Sequence, residues 1–405
     1  MIVDKSKWKF KSLGDVCDII NGDRGKNYPA KSKLSTKGNY PFISAANLDN
    51  YSVSSENLLY LSEEQYNKLS NGKIVKGDIA LCIRGSLGKF GYFPFNEGAI
   101  ASSLIILRAK AELSQTYLGY YLKSSDFYYQ LKVNDNGIAQ PNIGANKVSQ
   151  FKIRVPSLEE QHSIGKELDA IQAMVDGYKS QIIDLDNIAK SIYSNTFGDP
   201  VLNDKKWDTC KLKDITYLIT NGNTPKGGEK VYVKDGILFL RSQNVWRNEI
   251  KLEDVAFIDE ETNASMRNSI LHHNDILITK TGRINTENSS LGRASLYTGE
   301  DGNANINGHV YLVRLKDNIN PTYYLYALIS DSFRELIRNV CVGAIDKRQL
   351  NRTHIEDFPV MLAPLALQEK FASQVEAIEK QKTLLREQLA DAEQLMAERM
   401  QYYFS

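Results

Sequence analysis

The chain is poor in the residues that build stapled folds and metal centres. Only four cysteines occur in 405 residues, Cys17, Cys82, Cys210 and Cys341, and no two form a C-x-x-C pair. That spacing carries neither a zinc site nor a redox motif, so the thiols are expected to be reduced and mostly buried. Ten prolines, 42% hydrophobic and 24% charged residues exclude a disordered chain. No apolar run approaches the roughly 18 residues of a membrane span; the best, Ala99 to Leu107, is strand-length and contains two serines. Lys5, Lys7, Lys9 and Lys11 open the chain with no apolar stretch behind them, which is not the pattern of a signal peptide. A cytoplasmic location and no membrane partner are expected.

Catalytic signatures are missing as well. The five histidines, His162, His272, His273, His309 and His354, fall at no ligand or general-base spacing, and His272-His273 reads as a polar strand edge. No G-x-x-x-x-G-K-[ST] loop is present, since "GDRGKN" (Gly22 to Asn27) has the wrong spacing and lacks the Ser/Thr. Neither a glycine-rich cofactor loop nor an N-P-P-[FY] motif occurs. The chain is therefore expected to hold no catalytic residue, no metal and no cofactor of its own.

A net charge of +1 taken alone speaks against a polyanionic partner, but the total hides a segregation. Residues 158–200 and 366–405 together carry −7, which leaves +8 for the remainder. Two moderately basic bodies joined by acidic segments fit a protein that meets phosphates with parts of its surface only; ordinary surface charge accounts for the same numbers.

What the chain does have is itself, twice. Trp8, Leu13 and Asp15 form W-x4-L-x-D, and Trp207, Leu212 and Asp214 repeat it 199 residues later; Asn-Gly follows both, at Asn21-Gly22 and Asn221-Gly222. "YPFISAANL" (Tyr40 to Leu48) matches "ILFLRSQNV" (Ile237 to Val245), and "GDIALCIRG" (Gly77 to Gly85) matches "NDILITKTG" (Asn274 to Gly282). The aromatic segments Thr116 to Leu131 and Thr322 to Ile337 correspond, and their rings at helical spacing read as core. "FKIRVPSLEEQ" (Phe151 to Gln161) corresponds to "FPVMLAPLALQ" (Phe358 to Gln368), now 207 residues apart. The order is kept throughout, and such a repeat determines the architecture.

Each copy ends in a seven-residue apolar repeat. Ile164, Leu168, Ile171, Val175, Tyr178, Ile182, Leu185 and Ile192 step by fours and threes in the first, a coiled-coil seam. Phe371, Val375, Ile378, Leu385, Leu389, Ala392 and Met396 form the second, with Lys382 as a polar intruder. A helix of about 40 residues extends roughly 60 Å, which is expected to hold the two globular parts apart. To bury its seam the second helix must run back along the first. The predicted fold is α+β: two mixed α/β domains, 1–157 and 201–365, related by pseudo-twofold symmetry and joined by two long antiparallel coiled-coil helices, 158–200 and 366–405. The turn "FGDP" (Phe197 to Pro200) stops the first helix.

Around the glycine turns recur Arg, Lys, Asn and Gln, side chains that pair with guanine and adenine edges and with phosphates. The candidates are Arg24, Lys26, Asn47, Arg84, Lys89, Gln140, Asn142, Asn146 and Lys147 in the first copy. In the second they are Lys226, Arg241, Gln243, Asn244, Arg247, Lys280, Arg283, Asn285, Lys347, Arg348, Gln349 and Arg352. Any one of them reads more readily as a solvated surface residue than as a base contact; only the group carries the DNA reading.

The doubled W-x4-L-x-D openings, the [G/N]-D-I-[A/L] strands, the "VPSLEEQ" and "APLALQE" helix entries and the "FGDP" closure resemble the specificity subunits of type I restriction-modification systems, over essentially the entire chain. The resemblance implies two target-recognition domains, each reading one half of a bipartite, asymmetric target in double-stranded DNA. It implies that the helices act as a ruler on which two methyltransferase subunits dock, joined by restriction/translocase subunits. Adenine methylation and DNA cleavage would belong to those partners, which would use S-adenosylmethionine, ATP and Mg. "LALQ" lacks the acidic residues of "LEEQ", so contacts of Glu159 and Glu160 are not expected to be duplicated. Three other readings are a fused methyltransferase-nuclease, for which the repeat leaves no room, a two-headed protein-binding scaffold, and a spare specificity cassette.

Overall fold

Each copy of the repeat closes its opening strand with its last one. Lys9–Ser12 lies antiparallel to Lys152–Val155, and Thr209–Lys211 to Pro359–Met361. The computed structural model describes residues 4–25, 27–49, 51–135, 141–284, 286, 288–344 and 347–405. They divide into two units, Met1–Lys179 with Glu387–Ser405, and Ser180–Arg386.

In the first unit the central sheet runs in the order Cys17–Asn21, Leu104–Ala109, Ile79–Cys82, Phe90–Tyr92, Tyr51–Val53, Leu48–Asp49. In the second it runs Thr216–Asn221, Val310–Leu315, Ile276–Thr279, Ala294–Leu296. Ile79–Cys82 and Ile276–Thr279 are buried along their whole length, as the continuous apolar runs of a sheet covered on both faces require. At the head of each stands a buried aspartate gripped by two guanidinium nitrogens, Asp78 by Arg108 (2.8 and 2.6 Å) and Asp275 by Arg314 (2.8 and 2.7 Å). A second sheet pairs Tyr40–Ile43 in parallel with Glu97–Ile100, and its counterpart pairs Ile237–Leu240 with Ala304–Ile306.

The repeated Asn-Gly has a steric cause. A Cβ on Gly22 would lie 2.5 Å from the Ala101 carbonyl oxygen, and one on Gly222 would lie 1.8 Å from that of Ile306; only glycine admits such a backbone approach. The aromatic helices are core, with Tyr117, Tyr121, Phe127, Tyr323, Tyr324 and Phe333 buried. Tyr117 and Tyr323 each donate to a backbone carbonyl of the closing strand, Arg154 and Met361, both at 3.0 Å. Tyr128 and Tyr129, by contrast, are exposed.

The two long helices are Leu158–Phe197 and Leu365–Phe404, each of 40 residues. A buried glutamine locks the start of each. Gln161 accepts from the Ser114 amide (2.7 Å) and donates to the Glu112 and Pro156 carbonyls (3.0 and 2.9 Å). Gln368 accepts from the Asn320 amide (2.9 Å) and donates to the Ala363 carbonyl (2.7 Å). Glu160 bonds back to the Ser157 amide and accepts from the Trp8 indole (3.0 and 3.4 Å). Leu367 holds the matching position in the second copy, and there the Trp207 indole donates to the Phe197 carbonyl instead (2.9 Å). Gly198 (φ 80°) ends the first helix, and Asp199 Oδ1 accepts the Val201 and Leu202 amides.

Within each unit the helices run antiparallel. In the first, Glu167 meets Arg399 and Tyr403 while Lys179 meets Glu393. In the second, Asp186 meets Lys382 and Tyr193 packs on Phe371. Ile164, Leu168, Ile171, Val175, Phe371, Val375, Ile378, Leu385 and Ala392 are buried, and Tyr178, Ile182, Leu185, Ile192, Leu389 and Met396 half-buried. Beyond Leu185 the buried positions are Ala189, Tyr193 and Phe197, steps of four where the seven-residue repeat names Ile192. The phase changes because this end leaves the seam for the domain core, where Tyr193 stacks on Tyr323 at 5.7 Å. Lys382 is 3% exposed and pairs with Asp186 (2.6 Å) and Glu379 (2.8 Å).

All four cysteines are free, and Cys17, Cys82 and Cys341 are buried; burial pushes the Cys17 thiol up to about 12, which makes it unreactive. No helix among the described residues is long and apolar enough to cross a membrane.

Candidate nucleic-acid interface

In both units the segment after the buried central strand meets the segment just before the last short helix. In the first unit Arg84 and Asn142 form an isolated antiparallel bridge, flanked by Gly85 N–H to Pro141 O (2.9 Å) and Ile143 N–H to Ile83 O (3.0 Å). Arg84 Nε also donates to Asn142 Oδ1 (3.4 Å). Asn146 and Lys147 stand exposed on the adjoining helix Ala145–Val148, and Lys89 is exposed where the chain turns back. Arg24 is exposed and donates to the Ser102 carbonyl (3.1 Å).

The second unit repeats this junction as a sheet. Thr281 pairs with Gln349 and Gly282 with Arg348, while Lys347–Gln349 also pairs with Val342–Ala344. The Leu350 amide donates to the Lys280 carbonyl (2.9 Å), the counterpart of the Ile143 bond. Lys280, Arg283, Lys347, Arg348 and Arg352 thereby come together, with Arg283, Lys347 and Arg352 exposed. Lys280 Nζ lies 5.7 Å from the Tyr311 ring centre, Arg348 donates to the Cys341 carbonyl (3.2 Å), and Arg352 pairs with Glu356 (2.7 Å). Lys226 is exposed on a separate turn. Such a cluster of cations on backbone pinned by short pairings suits phosphate and groove contacts.

Other candidates are turned inward. Asn47 and Asn244 are buried, and each caps its own backbone, accepting from Ser44 N–H (3.0 Å) and Arg241 N–H (2.9 Å). Arg241 pairs with Asp254 (3.2 Å), to which the exposed Gln243 also donates (2.8 Å), so both side chains already have a partner in the fold. Arg247 is exposed on the neighbouring hairpin. Lys26, Gln140 and Asn285 lie outside the described residues. His272 and His273 occupy an exposed turn ahead of Ile276–Thr279, not a strand edge.

Pattern reading missed one arrangement. Lys251 Nζ (4.1 Å) and the Arg293 guanidinium (3.8 Å) both lie over the Trp246 ring, and burial pulls the Arg293 pKa down. A tryptophan beside Arg247 was the available signal. Among the described residues no group of His, Cys, Asp or Glu is arranged to hold a metal ion.

The model of the type I restriction modification DNA specificity domain matches residues 5–185 and again residues 204–394. The chain belongs to this family. It is a specificity subunit of the type I restriction-modification kind. The MjaVIII specificity subunit of Methanocaldococcus jannaschii is 23% identical over 92% of this chain and 86% of its own length. The StySPI specificity subunit of Salmonella potsdam is 24% identical over 92% and 82%. The crystal structure of the M. genitalium specificity subunit superposes with a TM-score of 0.58 at 14% identity, covering 100% of this chain and 98% of that one; at this identity the likeness concerns the fold.

Proposed function

We propose that the two units each read one half of a bipartite, asymmetric duplex target and that the chain performs no chemistry itself. The observation that carries this reading is the matched junction: Arg84 with Asn142, and Thr281 with Gln349, occupy equivalent pairings in two otherwise divergent loops. One frame with two different sets of basic and amide side chains is what two unlike half-sites require. Two methyltransferase subunits dock on the long helices and restriction/translocase subunits join them in the cytoplasm. S-adenosylmethionine, ATP and Mg serve those partners.

Exchanging residues 207–365 for those of another specificity subunit tests the division of labour. The expected outcome is a change in one half-site only; loss of both half-sites contradicts it. A protein-binding scaffold predicts binding insensitive to salt, whereas phosphate contacts make affinity fall steeply with it.

A further inference from the structure

The first unit contains a cavity of about 650 Å³, a size that suits a small planar ligand. Phe42 lies in its wall with the Tyr28 ring packed edge-on at 5.9 Å, and Ser44 and Asn57 face the same space. Lys31 and Lys89, both exposed, are balanced there by Asp49 and Glu56.

The second unit shows what fills the corresponding place. At a constant spacing of 197 residues, Phe42, Ser44, Asn47 and Asn57 become Phe239, Arg241, Asn244 and Asp254. The frame is unchanged: Ser54 N–H donates to the Asn47 carbonyl and Lys251 N–H to that of Asn244, both at 2.8 Å. Tyr232 packs on Phe239 at 5.8 Å as Tyr28 does on Phe42. There, however, the Arg241 guanidinium spans the gap, donating to the Asp254 carbonyl (2.7 Å) and pairing with its carboxylate (3.2 Å). One unit thus fills the slot with its own flat, hydrogen-bonding group. The other has neither the arginine nor the carboxylate at these positions, and its aromatic wall is joined by a serine hydroxyl and an asparagine amide.

We propose that this slot in the first unit takes an extrahelical nucleobase of the DNA target. With Ser44 and Asn57 where the second unit has Arg241 and Asp254, and with the lining's two lysines matched by two carboxylates, the slot suits a neutral flat ligand better than an arginine from a partner protein. Amides complement base edges, aromatic rings hold an unstacked base, and the flanking lysines meet its phosphate. The proposal rests on the DNA reading above.

The test uses the full-length chain assembled with its modification subunits and duplexes of its mapped target, with each base pair of the first half-site mismatched in turn. A base that must leave the stack binds more readily when already unpaired, so at one position a mismatch should tighten binding about tenfold or more. The variant S44R/N57D, which installs the second unit's own plug, should still bind the paired target but lose that gain. A gain that persists in the variant, as one caused by a methyltransferase subunit would, overturns the proposal, and so does the absence of any gain. A variant that reads DNA normally but assembles poorly with its partners assigns the slot to a protein and overturns it equally. Failure of the unaltered chain to bind any duplex defeats the DNA reading itself.

Discussion

Replacing Gln161 with leucine should unfasten the first unit from the start of its long helix. The side chain is fully buried and satisfies three backbone groups, the Ser114 N–H and the Glu112 and Pro156 carbonyls. Leucine fills similar volume but leaves all three without a partner. An unsatisfied buried group costs about 1–3 kcal/mol, and the Glu112 carbonyl, near the surface, recovers part of its bond from water. The loss should be about 3–5 kcal/mol, a large share of the roughly 5–15 kcal/mol that stabilises a domain. Gln368→Leu orphans two groups and should cost about 2–4 kcal/mol. Hydrogen exchange read peptide by peptide in rising urea separates the units. Gln161→Leu should lower protection around residues 112–116 and 156–164 while the second unit keeps its own, and Gln368→Leu should do the converse around 320 and 363. Variants within about 1 kcal/mol of the unaltered chain would rank with ordinary surface changes and show that the buried glutamines do not fasten the helices.

Asp78→Asn and Asp275→Asn each strip the charge from a gripped carboxylate and should cost about 2–4 kcal/mol, read from urea midpoints; the guanidinium partners remain partly solvated, which keeps the loss below that of a fully buried pair. Gly222→Ala forces a Cβ against the Ile306 carbonyl and should destabilise by at least about 2 kcal/mol, whereas Gly144→Ala, with open space around it, should be neutral in the same melt. Lys382→Met should leave the thermal midpoint unchanged or higher, because Asp186 and Glu379 are partly exposed and an apolar side chain suits the seam. Lys147→Ala should weaken DNA binding about equally for all sequences and lower the salt slope by about one.

Much of the architecture was legible in the sequence because a repeat constrains strongly. Trp8 and Trp207, the two Asn-Gly turns and the paired glutamines each mark a place where two backbone segments close on one another, and the structure gives each a physical cause. The seam was legible until Leu185, beyond which the helix enters a domain core and the spacing shifts to Tyr193. The interface was less legible. Asn47 and Arg241 have the right chemistry for bases, but residue type does not reveal that a neighbouring backbone amide or Asp254 already engages them. The pairing of Arg84 with Asn142 joins positions 58 residues apart, which no local pattern announces.

Whether this chain selects DNA sequence for enzymes it does not contain is decided by genome-wide mapping of N6-methyladenine in cells expressing the chain with its candidate methyltransferase subunit, against cells lacking the chain. A new split motif with a fixed gap is the predicted result. No new methylation, with a partner shown to be active alongside another specificity subunit, would mean that the chain does not select the target.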